Sequence, residues 1–374
     1  MTQYRVYYAI QQFALCVDGK VPTAANTIAV HGLQSVGITT TFNLEQVFEL
    51  GQLAIYENIE GIPDVEVSCE KVLDGYPPVY LLATKGAVKT SIAGRQNIKT
   101  TGILSLYEDD KESAAAANNA QAECLMSGLF VSSVSYSFPV DGNQTESCTL
   151  VGNEKFWSTA PEFAARQDVG EFDNTDVPLA TVGVARREDV VMVPVAAAAA
   201  VKDVPGGPDN VSDSIDCCIF PLDINGVQQT NPKGLNVKSG ADFSAHIQSI
   251  SVSTDLGREN LFELGRKGTY FRYVTFPVEV TTEFSTYATS IVQGDGVNAK
   301  EEIDNLEHQR IRVVSAEGTR IDCGDKNKLA SVSWSGGDAG GDNVEISYTY
   351  TNFNDLYVNH SHEAVKVGNG NANQ

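Results

Sequence analysis

An internal repeat constrains this chain more than any other feature of its sequence. Residues 33–56 read LQSVGITTTFNLEQVFELGQLAIY, and residues 247–270 read IQSISVSTDLGRENLFELGRKGTY. The two segments align without a gap from the first position to the last, and 9 of the 24 positions are identical. Most other positions exchange similar residues, such as Val36 for Ile250. Self-similarity of this kind predicts two copies of one fold.

Further similarities extend the repeat over almost all of each half. Pro63 aligns with Pro277, and VEVS at Val65 aligns with VEVT at Val278 once one residue is dropped. Each half then has the size of an ordinary domain. We predict a first β domain at residues 1–157, a partly packed linker at 158–213, a second β domain at 214–360 and a disordered tail at 361–374.

Alternation of apolar and polar residues dominates both copies. VSSVSYSF begins at Val131, and VEISYTY begins at Val344. A period of two with Val, Ile, Thr and Tyr indicates half-buried strands. The predicted fold class is therefore mainly β, as two tandem β-sandwich or barrel domains, each with a flanking helix.

Helix signals are rare. Residues 108–126, EDDKESAAAANNAQAECLM, place acids in a first turn and alanine after it, which predicts a helix. Residues 300–308 are a shorter candidate in the second copy. The apolar residues 179–196 of the linker predict a strand that packs on one of the domains.

The charge of the chain limits its partners. With 48 acidic and 26 basic side chains the formal net charge is −22, which repels phosphate and argues against tight binding of nucleic acid or an anionic membrane. We find no secretory signal, and the most apolar stretch, residues 190–201, is too short to span a bilayer. The seven cysteines lack zinc-site spacing and are interpreted as buried thiols, although one of them could cross-link neighbouring chains.

Motifs for catalysis or cofactor binding are missing from the sequence. GxSxG, P-loop, GxGxxG and HExxH patterns do not occur. His360 and His362 are two residues apart and would share a face on a strand, but a surface segment is the preferred interpretation. We expect a protein that is not an enzyme and uses neither a cofactor nor a metal.

The FELG motif, present in both copies, marks the candidate site residues. Its glycine predicts the end of a helical or tight-turn segment that the Phe and Leu anchor. The preferred interpretation is a corner of the fold, and an assembly contact is the other. The candidates are Phe48, Glu49, Gly51, Tyr56 and Pro63 in the first copy and Phe262, Glu263, Gly265, Tyr270 and Pro277 in the second.

The order of these pieces resembles the tail tube proteins of long-tailed bacteriophages. The resemblance rests on QSVGITTTFNLEQVFELG and VSSVSYSFPVDGNQTESCTLVGNEKFW in the first half and on QSISVSTDLGRENLFELG with SYTYTNFNDL in the second. It implies a β-sandwich or rolled barrel with one flanking helix, assembled into stacked rings whose inner sheets join. The usual family member has one such domain, whereas this sequence predicts two.

The resemblance also implies a function. The chain would be a structural subunit of a virion tail, made in the host cytoplasm, that assembles with itself and other tail proteins, including a sheath where one exists. DNA would pass through a negatively charged lumen without being bound. Because single-domain members form rings of six, two domains per chain favour a trimer with a pseudo-hexameric ring, and a hexamer is the alternative.

Two other classes of protein remain open. One is a β-sandwich binding component of a virion, such as a baseplate or receptor-recognition protein, which predicts clusters of exposed Trp and Tyr on loops. The other is a hydrolase whose site is not recognised, which predicts polar residues present in one copy and missing from the other.

Overall fold

The computed structural model describes most of both halves and a small part of the linker. The described residues are 6–17, 22, 27–51, 53–85, 87, 91–107, 120–159, 184–187, 190–196, 247–266, 268–287, 309–315, 317–324, 326–336 and 343–360. The strands of the first half are β1 (Gln11–Val17), β2 (Thr27–Ala29), β3 (Leu33–Phe48), β4 (Ile55–Val72), β5 (Thr100–Leu106), β6 (Ala122–Pro139), β7 (Thr145–Gly152) and β8 (Glu154–Ser158).

The later strands and the helices complete the described elements. The strands are β9 (Val190–Ala196), β10 (Ile247–Asp255), β11 (Arg258–Leu261), β12 (Phe271–Val274), β13 (Glu279–Tyr287), β14 (Gln309–Ser315), β15 (Thr319–Asp322), β16 (Lys328–Ser335), β17 (Glu345–Phe353) and β18 (Tyr357–His360). The helices are a 3₁₀ turn at Tyr8–Ile10, α1 (Val79–Ala83) and α2 (Ile92–Arg95). The predicted mainly β class is confirmed.

One large antiparallel sheet organises the chain. Eight of its strands follow the order β3-β4-β7-β6-β10-β13-β17-β16, so strands of both halves are hydrogen-bonded in one series. The long strand β6 also pairs with β5 and β8, and β5 leads to β1 and β2. A separate sheet has the order β18-β15-β14-β9.

A large apolar core lies against one face of the eight-strand series. Val65, Val67 and Cys69 point into it from β4, and Phe284 and Tyr350 point into it from the second half. The alternating burial follows the period of two that the sequence predicts. Residues from both halves therefore share one cluster.

The described cysteines are buried thiols, as the sequence predicts. They are Cys16, Cys69, Cys124, Cys148 and Cys323. Burial raises the pKa of the Cys69 thiol to about 12, with a further contribution from the nearby Glu146 carboxylate. A thiol with so high a pKa stays protonated and is a poor nucleophile.

A buried carboxylate holds the start of α1. Glu146 on β7 accepts hydrogen bonds from the backbone N–H groups of Val79 and Tyr80, and the Tyr136 hydroxyl donates to it at 3.0 Å. Burial raises the pKa of Glu146, and these three donors act in the opposite direction. The carboxylate thus satisfies two N–H groups that a short helix leaves without internal partners.

The helix predicted at residues 108–126 is wrong in its described part. Ala122 to Met126 belong to β6, where Cys124 lies opposite Leu104 and Glu123 opposite Ser105. Pairing on two sides outweighs the helix propensity of the alanine-rich segment. Residues 108–119, the second helix candidate at 300–308 and the tail at 361–374 lie outside the described residues.

The strand predicted within residues 179–196 is confirmed as β9. It pairs with β14 of the second half, with Met192 opposite Val313. Among the described residues, no helix is long and apolar enough to cross a membrane.

Candidate assembly surface

The two halves of the chain meet where β6 pairs with β10. Tyr136 lies opposite Val252 in this antiparallel ladder, and Ser133 lies opposite Asp255. Just beyond the ladder, the Leu256 N–H donates to the Ser132 carbonyl at 2.8 Å. The halves are therefore joined by main-chain hydrogen bonds as well as by side-chain packing.

Each half contributes four strands in the same order, β3-β4-β7-β6 in the first and β10-β13-β17-β16 in the second. A β-bulge falls at Gln34 of β3 and at Gln248 of β10, which the sequence repeat aligns with each other. Another falls at Ser132 of β6 and at Ala330 of β16, directly before the similar segments SVSYS and SVSWS. A bulge disturbs a ladder at one defined residue, so shared bulges identify corresponding positions.

Strand register corrects one detail of the sequence alignment. Thr40 lies opposite Val65, and Thr254 lies opposite Val280. Val65 therefore corresponds to Val280, not to Val278 as the sequence predicted. A shift of two residues leaves every side chain on its own face, so apolar alternation cannot detect it.

Both ends of the eight-strand series are open in the described part of the chain. There β3 pairs only with β4, and β16 pairs only with β17. Tyr136 on β6 is 1% exposed, whereas Trp334, at the corresponding position of β16, is 58% exposed. Residues 33–41 and 331–335 carry no charged side chain, and charges are the usual protection of an exposed sheet edge.

The face of the series opposite the core is polar and acidic. Its exposed acids are Glu66, Glu70, Asp255, Glu279 and Glu283, and their neighbours are mostly Ser and Thr. Lys328 is the one Lys or Arg on this face within the eight described strands. The face therefore presents negative charge over strands of both halves.

Each half also extends a two-stranded arm. The first arm is residues 42–60, which include the end of β3, the turn after it and the start of β4. The second arm is residues 258–274, which include β11 and β12. Val47 lies opposite Glu57 in the first arm. Leu261, which the repeat aligns with Val47, lies opposite Phe271 in the second arm. The two arms have the same register near their tips.

The FELG motif forms the turn at the tip of each arm. Gly51 has φ 96° and Gly265 has φ 85°, a conformation that favours glycine, so each glycine lies in a tight turn and not at the end of a helix, the other form that the sequence allowed. The anchoring role predicted for Phe and Leu is wrong, since Phe48 is 64% and Phe262 is 62% exposed. The tip lies at the far end of a two-stranded ribbon and has no core beneath it.

The other candidate residues lie along the same arms. Glu49 and Glu263 are in the exposed turns, Tyr56 and Tyr270 follow the turns and are exposed, Pro63 pairs with Phe42 at the base of the first arm, and Pro277 precedes β13. Phe48, Glu49, Gly51 and Tyr56 thus lie on the first arm and Phe262, Glu263, Gly265 and Tyr270 on the second, while the two prolines lie just beyond the arms.

Apolar side chains cover both faces of the first arm. Leu44 lies opposite Glu60, and Ile59 lies opposite Glu45, so Leu44 and Ile59 point to opposite faces. The exposed apolar residues of this arm are Phe42, Leu44, Phe48, Leu50, Leu53, Ile55, Tyr56 and Ile59. Apolar exposure on this scale marks an interaction surface.

Two arginines fix the second arm to the first half. Arg272 donates to Asp64 at 2.5 Å, to Asn153 and to the Gly152 carbonyl. Arg258 donates to the Val131 carbonyl at 2.7 Å. Burial lowers the pKa of Arg258 to about 10, which leaves it charged at neutral pH.

His360 lies in buried contact with a carboxylate. Its Nε2 lies 3.3 Å from Oε2 of Glu317, and both side chains are inaccessible to solvent. Glu317 also accepts from the Gly75 N–H of the first half and from the Thr319 N–H. This placement contradicts a surface role for His360, and His362 lies outside the described residues. No cluster of three potential metal ligands occurs among the described residues.

No local sequence pattern pointed to the open edges or to the two anchoring arginines. The difference between the two copies does indicate the arginines, because the repeat aligns Arg258 with Leu44 and Arg272 with Asn58. A buried cation present in one copy alone indicates a contact that only that copy makes inside the chain.

No protein-family model and no curated protein matches this chain. Several solved structures are similar to part of it. A chain of the anti-feeding prophage baseplate has 10% identity and a TM-score of 0.32, with coverage of 42% of this chain and 97% of that one. A chain of the anti-feeding prophage tube-terminating cap has 14% identity and a TM-score of 0.30, with coverage of 43% and 95%.

A third similar structure is the sheath/tube terminator of PVC, an extracellular contractile injection system. Its identity is 13% and its TM-score is 0.30, and the alignment covers 42% of this chain and 99% of that one.

Proposed function

We propose that this protein is a structural subunit of a phage-tail-like assembly, and more narrowly a tube subunit whose sheets join edge to edge into a ring. The observation that carries the proposal is the β6–β10 junction, in which two four-strand units of the same order continue one sheet. The same series leaves β3 and β16 open in the described part of the chain. The chain therefore contains one copy of the contact that a ring needs.

Pairing of β16 with β3 of a second copy would repeat this contact between chains. Such a head-to-tail contact closes a ring when the rotation at each junction divides a full turn. The two four-strand units act as tandem domains, so three chains supply six units. We favour this trimer with a pseudo-hexameric ring, and a hexamer in which one unit builds the ring is the alternative.

The polar face of the sheet supports a role as a DNA conduit. A wall of Ser, Thr and exposed acids such as Glu66, Glu70 and Glu283 offers few contacts to phosphate and repels it. If this face lines the lumen, DNA passes as cargo without being bound. The subunit would then act in the tail of a virion or a related particle, without catalysis or a cofactor and with other tail proteins as neighbours.

Electron microscopy of the purified protein tests the proposal. We expect rings or stacked rings, and mass measurement of the smallest ring is expected to give three chains of 40.2 kDa. Six chains per ring would favour the hexamer. A protein that remains monomeric at high concentration would contradict the proposal and favour the alternative, a binding or receptor-recognition component.

A further inference from the structure

We propose that the first arm of one copy packs on the second half of the next copy, where Glu57 forms an ion pair with Lys328 of that copy. The inference rests on the proposed edge-to-edge assembly and adds a specific contact to it. The second arm already makes the corresponding contact with the first half of its own chain.

The contact inside the chain supplies the template. Beside the β6–β10 ladder, the Phe271 ring of the second arm packs against the Phe130 ring of β6, with centroids 5.1 Å apart. Arg258 lies over the same Phe130 ring, 4.9 Å from its centroid. The second arm thus lies across the start of the β6 segment that pairs with β7.

Strand register identifies the residues of the open edges that correspond to this contact. Leu261 and Phe271 correspond to Val47 and Glu57, because the repeat aligns both positions and the members of each pair lie opposite each other. The shared bulge aligns Ala330 of β16 with Ser132 of β6, so Lys328 corresponds to Phe130. The aromatic pair inside the chain is therefore replaced, between chains, by the opposite charges of Glu57 and Lys328.

The surrounding residues fit the same arrangement. Leu256, whose N–H bonds to Ser132, corresponds to Phe42, and Ser132 corresponds to Ala330. Phe42 lies opposite Pro63, which has no N–H to donate to the Phe42 carbonyl. By the same correspondence, the Phe42 N–H would donate to the Ala330 carbonyl of the next copy. The junction inside the chain thus predicts a backbone bond at the base of the first arm.

Charge at the start of β16 is also complementary to the first arm. The first arm carries Glu45, Glu49, Glu57 and Glu60 and has no Lys or Arg. The start of β16 carries Lys328, and the exposed Lys326 lies two residues before it. An acidic arm approaching this basic corner gains both orientation and association rate.

Charge exchange tests the pair. Glu57→Lys and Lys328→Glu are each expected to lower the apparent association constant between chains about tenfold, measured by sedimentation velocity at low salt. The double variant Glu57→Lys/Lys328→Glu is expected to restore association to within about twofold of the unmodified protein. A mismatched control, Glu49→Lys/Lys328→Glu, has the same net charge as the rescue variant and should remain impaired.

The outcomes separate this inference from the proposed function. If the unmodified protein forms no oligomer, the proposed function fails. If it forms rings and both single variants form them equally well, only the Glu57–Lys328 contact is overturned. Equal assembly of the rescue and mismatched double variants would also overturn it, because net charge alone would then explain the effect. Circular dichroism of each variant checks that the chain is folded.

Discussion

Arg272 on β12 places its Nη2 atom 2.5 Å from Oδ1 of Asp64 on β4, which lies 208 residues earlier in the chain. The guanidinium is almost fully buried, and it also bonds to Asn153 and to the Gly152 carbonyl. One side chain therefore joins the second arm, the base of the first arm and the β7–β8 turn.

Replacement of this arginine should weaken the fold. In Arg272→Met the methylene packing is largely kept, but Asn153 and the Gly152 carbonyl lose a charged donor, and we expect a loss of about 2–3 kcal/mol in the free energy of unfolding. Urea denaturation monitored by tryptophan fluorescence measures it. Arg266→Met is the matched control, because Arg266 lies at the exposed tip, 3.5 Å from Glu263, and should change stability by less than about 0.5 kcal/mol. Similar losses in both variants would contradict the anchoring role.

The Glu317–His360 pair should make stability depend on pH in the acid range. Burial alone raises the pKa of Glu317, but hydrogen bonds from His360 and Thr319 and the charge of His360 lower it below its ordinary value of 4.5. A lowered pKa means that the carboxylate stabilises the fold above about pH 4.5 and that this contribution is lost as the pH falls through the folded-state pKa. Urea unfolding at pH 7 and pH 4 should show a smaller decrease in Glu317→Gln than in the unmodified protein. An equal decrease in the free energy of unfolding of both proteins would contradict this role of the Glu317 carboxylate.

The arm tips should matter for association and not for folding. Leu50 and Leu264 are fully exposed, so Leu50→Ser and Leu264→Ser should change the free energy of unfolding by less than about 0.5 kcal/mol. If a tip is buried between copies, its loss weakens association by up to about 2 kcal/mol per contact. Phe284→Ala is the contrasting core variant, expected to lose about 3–5 kcal/mol of stability. Sedimentation velocity and thermal unfolding together distinguish these effects.

Cysteine pairs can report the register between chains. Inside the chain Ser253 lies opposite Ser135, and the corresponding open-edge residues are Thr39 and Ser333. Residues directly opposite in an antiparallel ladder have Cα atoms about 4.5–5.5 Å apart, within disulfide range. Thr39→Cys/Ser333→Cys should therefore give a series of covalent multimers, seen as bands on a non-reducing gel after mild oxidation.

Two controls accompany this measurement. Ser135→Cys/Ser253→Cys should form its disulfide within one chain. Thr39→Cys alone should give no more covalent multimers than the unmodified protein. A Thr39→Cys/Ser333→Cys sample that forms rings but no cross-linked multimers would show that the edges meet in another register.

Local patterns in the sequence predict the strands well and the helices poorly. The alternation at Val65 and Val67 identifies β4, and the FELG glycines identify two tight turns, because both signals depend on neighbouring residues. The segment at 108–126 misleads because the pairing partners of Ala122 to Met126 are distant in sequence. Pairings between distant strands also create the open edges and the Arg272–Asp64 contact, so no local pattern contains them.

The β6–β10 junction also bears on how assembly would begin. Because β6 and β10 belong to one chain, the two strands meet at a high effective concentration. Strands on separate molecules pair only after the molecules lose translational freedom. In a ring of three chains, half of the six junctions would form during folding of the individual chains. Only the other three would depend on protein concentration, so the threshold concentration for starting a ring should be lower than for six separate single-unit chains.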